Sequence, residues 1–208
     1  YTMINYSKDP DNIVTLTLDN PDKSANIVNI KFGEAFKATI ERLQQEKDSI
    51  RGIIIASGKE TFFAGADIDE MFKETDAKYF YERSLEFKAG LRYLETQGKP
   101  VVAAINGTAL GAGFEIPLAC HRRIVIDNPK TQIGLPEVTL GLLPGGGGVT
   151  RVVRLIGLQP ALQYLTEGKK VSPSQALSDG LIHELAKDKE DLLAKAKAWI
   201  LANNSAKA

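Results

Sequence analysis

Two glutamates in the middle of this chain lie beside glycine-rich backbone, and their type and spacing could support acid–base chemistry. Glu115 ends the segment 106–115, which contains three glycines, and Glu137 ends the segment 134–137. A glutamate can donate or accept a proton. Bare amide N–H groups at the start of a helix can stabilise a developing oxyanion. The two segments therefore predict chemistry next to a carbonyl group.

The elements around Glu115 predict where it lies. The apolar run 101–105 predicts a buried strand, and a helix is predicted from about residue 112. Pro117 is compatible with this helix only if it lies in the first turn, which puts Glu115 near the helix N-terminus. The apolar neighbours of Glu115 predict a partly buried carboxylate, and such burial is costly unless it serves a purpose. Helical spacing equally allows a glutamate on the exposed side.

The second glutamate follows a proline. Pro136 makes the preceding residue extended, so Glu137 is predicted to lie on a shaped loop. A lone Pro-Glu pair is more often a solvated loop carboxylate, and the residues alone leave that alternative open.

The segment 61–68 lies between a predicted strand and a predicted helix. Gly65 permits an unusual backbone turn, and the small alanines leave N–H groups accessible, so the Ala66 amide is a candidate oxyanion donor. These residues alone favour a simpler interpretation, an ordinary tight loop in which Asp67 caps the helix.

The glycine-rich loops do not match nucleotide-binding motifs. The dinucleotide fingerprint needs a glycine where Ile116 stands, and the Gly-Lys-Ser/Thr of a P-loop is absent. Gly111 and Gly145, one from each loop, are instead candidates for backbone contacts with a substrate. Close packing of a helix on a strand is an alternative that by itself explains Gly113.

Neither metal nor thiol chemistry is indicated. His121 and His183 are the two histidines of the chain, and neither is followed by a ligand partner three or four residues later. Cys120 is predicted to be a small core residue rather than a nucleophile. As a single cysteine it excludes an internal disulfide and suits a reducing cytoplasm, which in this case we expect to be bacterial.

Composition argues against two classes of partner. Lys and Arg total 26 and Asp and Glu total 26 in 208 residues, so the net charge is zero and nucleic acid is not expected as the main partner. No apolar stretch approaches the roughly 18 residues that a membrane-spanning helix needs.

Hydrophobic periodicity predicts strands that alternate with helices up to about residue 126, and helices alone after it. This order predicts an α/β core over about 1–150, a helical region over about 151–208 and a frayed tail at 203–208. The predicted strands are 13–18, 53–55, 101–105 and 123–126. The predicted helices are about 30–47, a polar pair within 69–97, one from about 112, one from about 149, one from about 173, and 189–201.

Three motifs, taken in order and spacing, resemble the crotonase (enoyl-CoA hydratase/isomerase) superfamily. They are Phe-Ala-Gly-Ala-Asp-Ile at 63–68, the segment 106–115 that closes on Gly-Phe-Glu, and the segment 134–145. Each is weak alone, but the resemblance covers about residues 10–190. It implies one domain of the α/β class, built as a spiral of repeated ββα units with a C-terminal helical region.

The resemblance also implies an acyl-CoA thioester as substrate, with no cofactor and no metal. The oxyanion donors would be the amides of Ala66 and Ala112, although most members have glycine at the second position. The implied contacts with CoA run largely through backbone and map to Ser24, Ala25, Ala64, Asp67 and Ile68.

Both glutamates are present, which favours a hydratase within this family. Glu115 would activate water and Glu137 would deliver the proton to C2 of the acyl chain. An isomerase that moves a double bond is the alternative among enzymes. An acyl-CoA-binding module that has lost turnover is the alternative outside them.

The separation of 22 residues between the glutamates and the string 120–131 are similar to one subset of the family. That subset is the hydratase domain of multifunctional fatty-acid β-oxidation α subunits. The similarity implies an N-terminal fragment of a longer chain, with a hydroxyacyl-CoA dehydrogenase domain in the same polypeptide and a thiolase subunit as a partner. The oligomeric state stays open.

Overall fold

The structure is a computed structural model that describes residues 3–73 and 75–203. The described strands, in chain order, are β1 Ile4–Lys8, β2 Ile13–Leu18, β3 Gly52–Ser57, β4 Val101–Ile105, β5 Ala109–Leu110, β6 Arg122–Ile126, β7 Ile133–Gly134, β8 Lys170–Val171 and β9 Glu184–Ala186. The described α-helices are α1 Ile30–Gln45, α2 Ile68–Lys73, α3 Ala77–Thr96, α4 Ala112–Leu118, α5 Gly148–Ile156, α6 Leu158–Thr166, α7 Pro173–Ser178 and α8 Lys189–Ala202. Short 3-10 helices lie at Lys47–Ser49 and Pro136–Leu140.

Six of these strands form one sheet in the order β1-β2-β3-β4-β6-β9, and β5-β7-β8 form a second, smaller sheet. Within the larger sheet only the β1–β2 pair is antiparallel. Strand β4 lies at its centre, and all five of its residues are buried. A run of consecutive apolar residues is what a parallel strand covered on both faces requires.

The ββα repeat that the family resemblance implied is confirmed. Strand β4 of the large sheet is followed by β5 of the small sheet and then by α4. Strand β6 is followed in the same way by β7 and then by the 3-10 helix Pro136–Leu140. Each turn of the spiral therefore ends in a loop and a helix start on the same side of the molecule, where a site can be built.

Side chains of the large sheet point alternately into two apolar clusters. Ile53 and Ile55 belong to the larger cluster, which includes residues of α1, α3 and α4. Ile54 belongs to the smaller cluster on the opposite face, which α8 covers with Leu192, Ala196 and Ile200. The period of two in a strand thus separates the face that carries the loops from the face that α8 seals.

Several predicted elements differ in detail from the structure. The first helix ends at Gln45, and a single 3-10 turn replaces its expected last residues. The expectation of helices alone after residue 126 was wrong, because β7, β8 and β9 follow it. These strands have two or three residues, too few for an alternating pattern to reveal them. The predicted frayed tail lies outside the described residues except for its first residue, which caps α8.

The expectation that Pro117 lies in the first turn of its helix was also wrong. Helix α4 begins at Ala112, so Pro117 is its sixth residue of seven. Because the helix ends one residue later, the missing N–H removes one backbone bond and interrupts nothing further along. Glu115 still lies in the first turn, as expected.

Candidate active site

A cavity of about 600 Å³ lies between α1, α3 and the loops that follow β3 and β4. Its wall includes both candidate carboxylates, Glu115 and Glu137, and both candidate oxyanion residues, Ala66 and Ala112. The fold therefore gathers, around one space, four residues that the sequence singled out in three separate segments.

Glu115 is a buried carboxylate held by backbone. It is 2% exposed. One carboxylate oxygen, Oε2, accepts a hydrogen bond from the Gly146 N–H at 2.9 Å, and the other, Oε1, accepts one from the Gly148 N–H at 2.7 Å. Burial raises the pKa of Glu115, and these two donors are the first of the effects that oppose the rise. The alternative of a glutamate on the exposed side of its helix is thereby excluded.

The glycine run before α5 is therefore a cradle for a carboxylate. A Cβ on Gly146 would lie 2.8 Å from Glu115 Oε2, and a Cβ on Gly148 would lie 2.9 Å from Oε1. Only glycine lets the backbone come this close to the side chain. The run 145–148 matches neither nucleotide-binding motif, and its use as a carboxylate cradle was not predicted from the sequence. Consecutive glycines directly before a helix were the available signal, since free N–H groups at a helix start bind anions.

Glu137 lies in a different environment. It is the second residue of the 3-10 helix Pro136–Leu140, so it is not on an irregular loop. Its Oε2 atom is buried and has no hydrogen-bond partner within the described part of the chain. Burial first, and then the negative charge of Glu115, raise the pKa of Glu137 to about 7. At neutral pH this carboxyl group is therefore poised between its acid and its base form.

The two candidate oxyanion N–H groups have no backbone acceptor in the described ranges 3–73 and 75–203. Val28 forms a parallel bridge with Ala66 through the two neighbours of Ala66. Val28 donates its N–H to Gly65 O at 2.9 Å, and its carbonyl oxygen accepts from the Asp67 N–H at 2.8 Å. The N–H of Ala66 itself consequently points away from Val28. The N–H of Ala112 is the first in its helix and can have no intrahelical partner.

The loops that carry these two N–H groups are locked side by side. Phe63 donates its N–H to Thr108 O at 3.1 Å and accepts from Leu110 N–H at 3.1 Å. Gly113 packs against the carbonyl oxygen of Phe63 so closely that a Cβ would overlap it. The packing interpretation of Gly113 is therefore confirmed, and its consequence is a fixed position of Ala112 relative to Ala66.

Most of the remaining cavity wall is apolar and comes from helices. Glycine and charged residues lie among these side chains, and the apolar ones include Phe36 and Ile40 of α1, Met71 of α2, Phe80 and Phe87 of α3, and Leu142. An elongated apolar ligand would fit such a wall, with its polar end at the carboxylates.

The residues predicted to touch CoA divide into two groups. Ala64, Ile68, Gly111 and Gly145 line the cavity. Ser24, Ala25 and Asp67 are not part of its wall; Ser24 is exposed and Ala25 is partly buried.

Asp67 has structural contacts of its own. Its Oδ1 accepts from the Glu70 N–H at 3.2 Å at the start of α2, and its Oδ2 lies 3.8 Å from Lys23 Nζ. The capping interpretation of Asp67 is confirmed, and its contact with a ligand stays a prediction.

The other titratable candidates are structural. Cys120 is buried, as predicted, and burial raises the pKa of its thiol to about 12. His121 Nδ1 accepts from Val101 N–H, and His183 Nδ1 accepts from Arg123 N–H. Among the residues that the structure describes, no group of three or more His, Cys, Asp or Glu side chains could hold a metal ion. Nor does any described helix have the length and apolar character needed to cross a membrane.

The family to which this fold and site belong is shown by comparison. The family model described as enoyl-CoA hydratase/isomerase matches residues 8–207, so the chain is a member of that family. Among solved structures, an enoyl-CoA hydratase from Geobacillus kaustophilus superimposes with a TM-score of 0.88 at 28% identity, over 97% of this chain and 74% of that one. An enoyl-CoA hydratase from Bacillus anthracis gives 0.86 at 29% identity, over 97% and 76%.

Individual relatives with curated names are similar to most of this chain. It is similar to the fatty acid oxidation complex subunit alpha of Shewanella halifaxensis, with 42% identity over 184 residues, 86% of this chain and 25% of the relative. The subunit of the same name from Shewanella oneidensis is 40% identical over 185 residues, 87% of this chain and 26% of the relative. The chain thus spans about a quarter of the length of these relatives.

Proposed function

We propose that this chain is an enoyl-CoA hydratase, which adds water reversibly to the C2=C3 bond of a trans-2-enoyl-CoA and gives a 3-hydroxyacyl-CoA. The observation that carries the proposal is one cavity wall that holds two carboxylates with different hydrogen-bond partners and two backbone N–H groups that have no backbone acceptor among the described residues. Membership of the enoyl-CoA hydratase/isomerase family supports the substrate class.

The thioester carbonyl oxygen binds between the N–H groups of Ala66 and Ala112. When water adds at C3, negative charge builds on this oxygen, and the fixed donors stabilise it. Loss of one such donor in an enzyme costs about 3–4 kcal/mol of transition-state stabilisation. Because both N–H groups belong to backbone, the alanine at position 112 serves as well as a glycine.

The proton states follow from the two environments. Burial raises the pKa of Glu115, but N–H donors at both oxygens oppose that rise and favour the ionised form, so we assign to Glu115 the removal of a proton from the attacking water. Glu137, with a pKa raised to about 7, retains a proton near neutrality and delivers it to C2. Dehydration runs the same steps backward. Addition of water to the double bond is redox-neutral, so the reaction needs no redox cofactor, and we propose that the two carboxylates and the backbone donors carry it without a metal.

Double-bond isomerisation between the 3-enoyl and 2-enoyl positions is proposed as a side activity. It needs one group that takes a proton from C2 and returns it at C4. Glu137 has a pKa near neutrality and faces the cavity, so it suits that role.

The test is a direct assay with crotonyl-CoA. A hydratase removes the absorbance of the conjugated thioester, and the product is identified as 3-hydroxybutyryl-CoA by mass. Titration of the same protein with a saturated acyl-CoA measures binding separately. Binding without turnover would instead identify the acyl-CoA-binding module that the sequence left open. Conversion of a 3-enoyl-CoA to the conjugated isomer tests the side activity.

We further propose that this domain acts in a longer β-oxidation polypeptide. The similarity to about a quarter of each alpha subunit supports this placement. A dehydrogenase domain in the same chain would then consume the 3-hydroxyacyl product, a thiolase subunit would be a partner, and the location would be the bacterial cytoplasm. The open reading frame around this segment, read for a dinucleotide-binding Gly-x-Gly-x-x-Gly motif downstream, decides the point.

A further inference from the structure

The carboxylate of Glu115 is oriented by a loop, so something must fix that loop. The two N–H donors belong to Gly146 and Gly148, on either side of a glycine with positive φ. Glycine-rich backbone has many accessible conformations and does not stay in one without external contacts. The element that supplies those contacts controls Glu115.

Arg151 supplies them from the first turns of α5. Its Nη1 donates to the carbonyl oxygen of Gly146 at 2.7 Å, within the same loop whose N–H groups hold Glu115. Its Nε and Nη2 donate to Oε1 and Oε2 of Glu95 on α3, at 2.6 and 3.0 Å. The side chains of Arg151 and Glu95 are 14% and 17% exposed, so solvent screens this bidentate pair only in part.

We propose that Arg151, anchored by Glu95, is a positioning residue for the hydration reaction that fixes the Gly146–Gly148 loop and thereby the direction and charge of Glu115. The inference rests on the proposed hydratase function, and it adds to that function two residues that do not line the cavity. Arg151 acts through the loop and not by touching the substrate.

The charged groups around Glu115 come from three elements. Arg151 of α5 and Lys88 of α3 favour the ionised carboxylate, whereas Glu137 of the 3-10 helix carries a like charge when ionised. Of the two cations, only Arg151 also bonds to the loop that holds the carboxylate. Substitution of Arg151 therefore removes both the hydrogen bond to the loop and a positive charge near Glu115. Substitution of Glu95 removes only the ion pair that holds Arg151 and leaves the positive charge of Arg151 in place.

The experiment compares Arg151→Gln, Arg151→Lys and Glu95→Gln by the pH dependence of kcat for crotonyl-CoA hydration. Misplacement of a reacting group by about 1 Å can cost about 100-fold, so Arg151→Gln is expected to lower kcat about 10- to 100-fold. The acidic limb of its kcat–pH profile moves to higher pH, because the Glu115 carboxylate has lost the nearby positive charge of Arg151. Arg151→Lys restores the wild-type pH of the acidic limb, because the positive charge is kept, but it restores only part of kcat. Glu95→Gln lowers kcat without an upward move of the limb.

Arg154→Gln is the matched control. Arg154 lies on the same helix and is exposed, and it is expected to keep kcat and the pH profile of the wild type. Melting temperatures are measured for every variant. If Arg151→Gln does not fold, the acidic limb of the kcat–pH profile of Arg151→Lys and the kcat of Glu95→Gln test the positioning role.

An active wild type with unchanged kcat and pH profile in Arg151→Gln would overturn the positioning role and leave the hydratase intact. Equal losses at every pH in all three variants would assign Arg151 a purely structural role and also overturn it. An inactive wild type that binds acyl-CoA would overturn the proposed function and, with it, this inference.

Discussion

Glu115 and Glu137 are the same side chain in two environments: burial raises the pKa of both, and they differ in the hydrogen-bond donors that oppose the rise. Glu115 is more deeply buried, yet both of its oxygens accept a backbone N–H. Glu137 has a buried oxygen with no partner in the described residues and sits near a like charge. The N–H donors on both oxygens of Glu115 favour its ionised form, and this difference in hydrogen bonding is the basis for assigning Glu115 as the base and Glu137 as the acid.

Glu137→Gln tests that assignment. The amide cannot deliver a proton, so hydration of crotonyl-CoA is expected to fall by about 100-fold or more, within the range that acid–base catalysis contributes. Binding of a saturated acyl-CoA stays within about threefold by calorimetry, because the oxyanion donors and apolar wall are unchanged. Glu34→Gln, the same change at an exposed residue of α1, is the control. Turnover at the wild-type rate in Glu137→Gln would contradict the role.

The same residue makes stability depend on pH. Glu137 has an ordinary pKa of 4.5, which we take for the unfolded chain, and the fold raises it to about 7. Its contribution to stability is therefore complete below about pH 4.5 and is lost as pH rises through about 7. Glutamine has no proton to lose, so the melting temperature of Glu137→Gln relative to wild type should increase between about pH 5 and pH 8. A difference that is flat across this range would show that the fold does not shift this group.

At the scale of elements, α1 and α3 form the part of the cavity wall that an acyl chain would meet. Gly33 of α1 lines this cavity, and a Cβ built on it has no atom within 4 Å. A side chain at this position would project into open space rather than into the core. The helix itself tolerates the change, since glycine is about 1 kcal/mol less favourable than alanine inside a helix.

Gly33→Leu is therefore expected to select against long substrates. The leucine occupies volume that a long acyl chain needs, so kcat/KM should fall at least about 10-fold for a long-chain enoyl-CoA and little for four-carbon crotonyl-CoA, since lost burial of a few methylenes costs about 0.8 kcal/mol each. Gly33→Ala, which adds a single methyl group, should show a smaller change of the same sign. Equal kcat/KM losses for both chain lengths would place the acyl chain elsewhere.

The elements that sequence predicted well are those with long, regular patterns. Helix α1 shows its buried stripe through Phe36, Ile40 and Leu43, and β4 shows an unbroken apolar run. The short strands β7 to β9 could not be seen, because pairing with distant strands, and not local pattern, creates them.

The candidate site likewise contains residues that the sequence predicted and residues that it did not. Glu115, Glu137, Ala66 and Ala112 were found from local motifs together with a family resemblance, and they share one cavity. The cradle at Gly146 and Gly148 was missed because its partner lies more than 30 residues earlier in the chain, at Glu115. The glycines before the helix indicate an anion site, but which anion they hold depends on tertiary packing and follows from no spacing rule.

For the molecule as a whole, the large sheet separates catalysis from structural support. The cavity is built on the face that α1, α3 and α4 cover, and its wall contains no residue of α8 among those the structure describes. Helix α8 closes the opposite face with Leu192, Ala196 and Ile200. Stability and chemistry should therefore respond separately to changes on the two faces.

Ile200→Ala tests this separation. Ile200 is fully buried against the sheet, and loss of such a side chain costs about 2–5 kcal/mol of unfolding free energy, as transfer plus cavity. Urea unfolding should show this loss, while kcat per folded molecule stays at the wild-type value because the cavity wall is intact. Leu193→Ala on the same helix, where the side chain is 43% exposed, should cost under about 1 kcal/mol. A drop in kcat for fully folded Ile200→Ala would mean that packing on the far face reaches Glu115 through the sheet, and the two faces would then have to be treated as one cooperative unit.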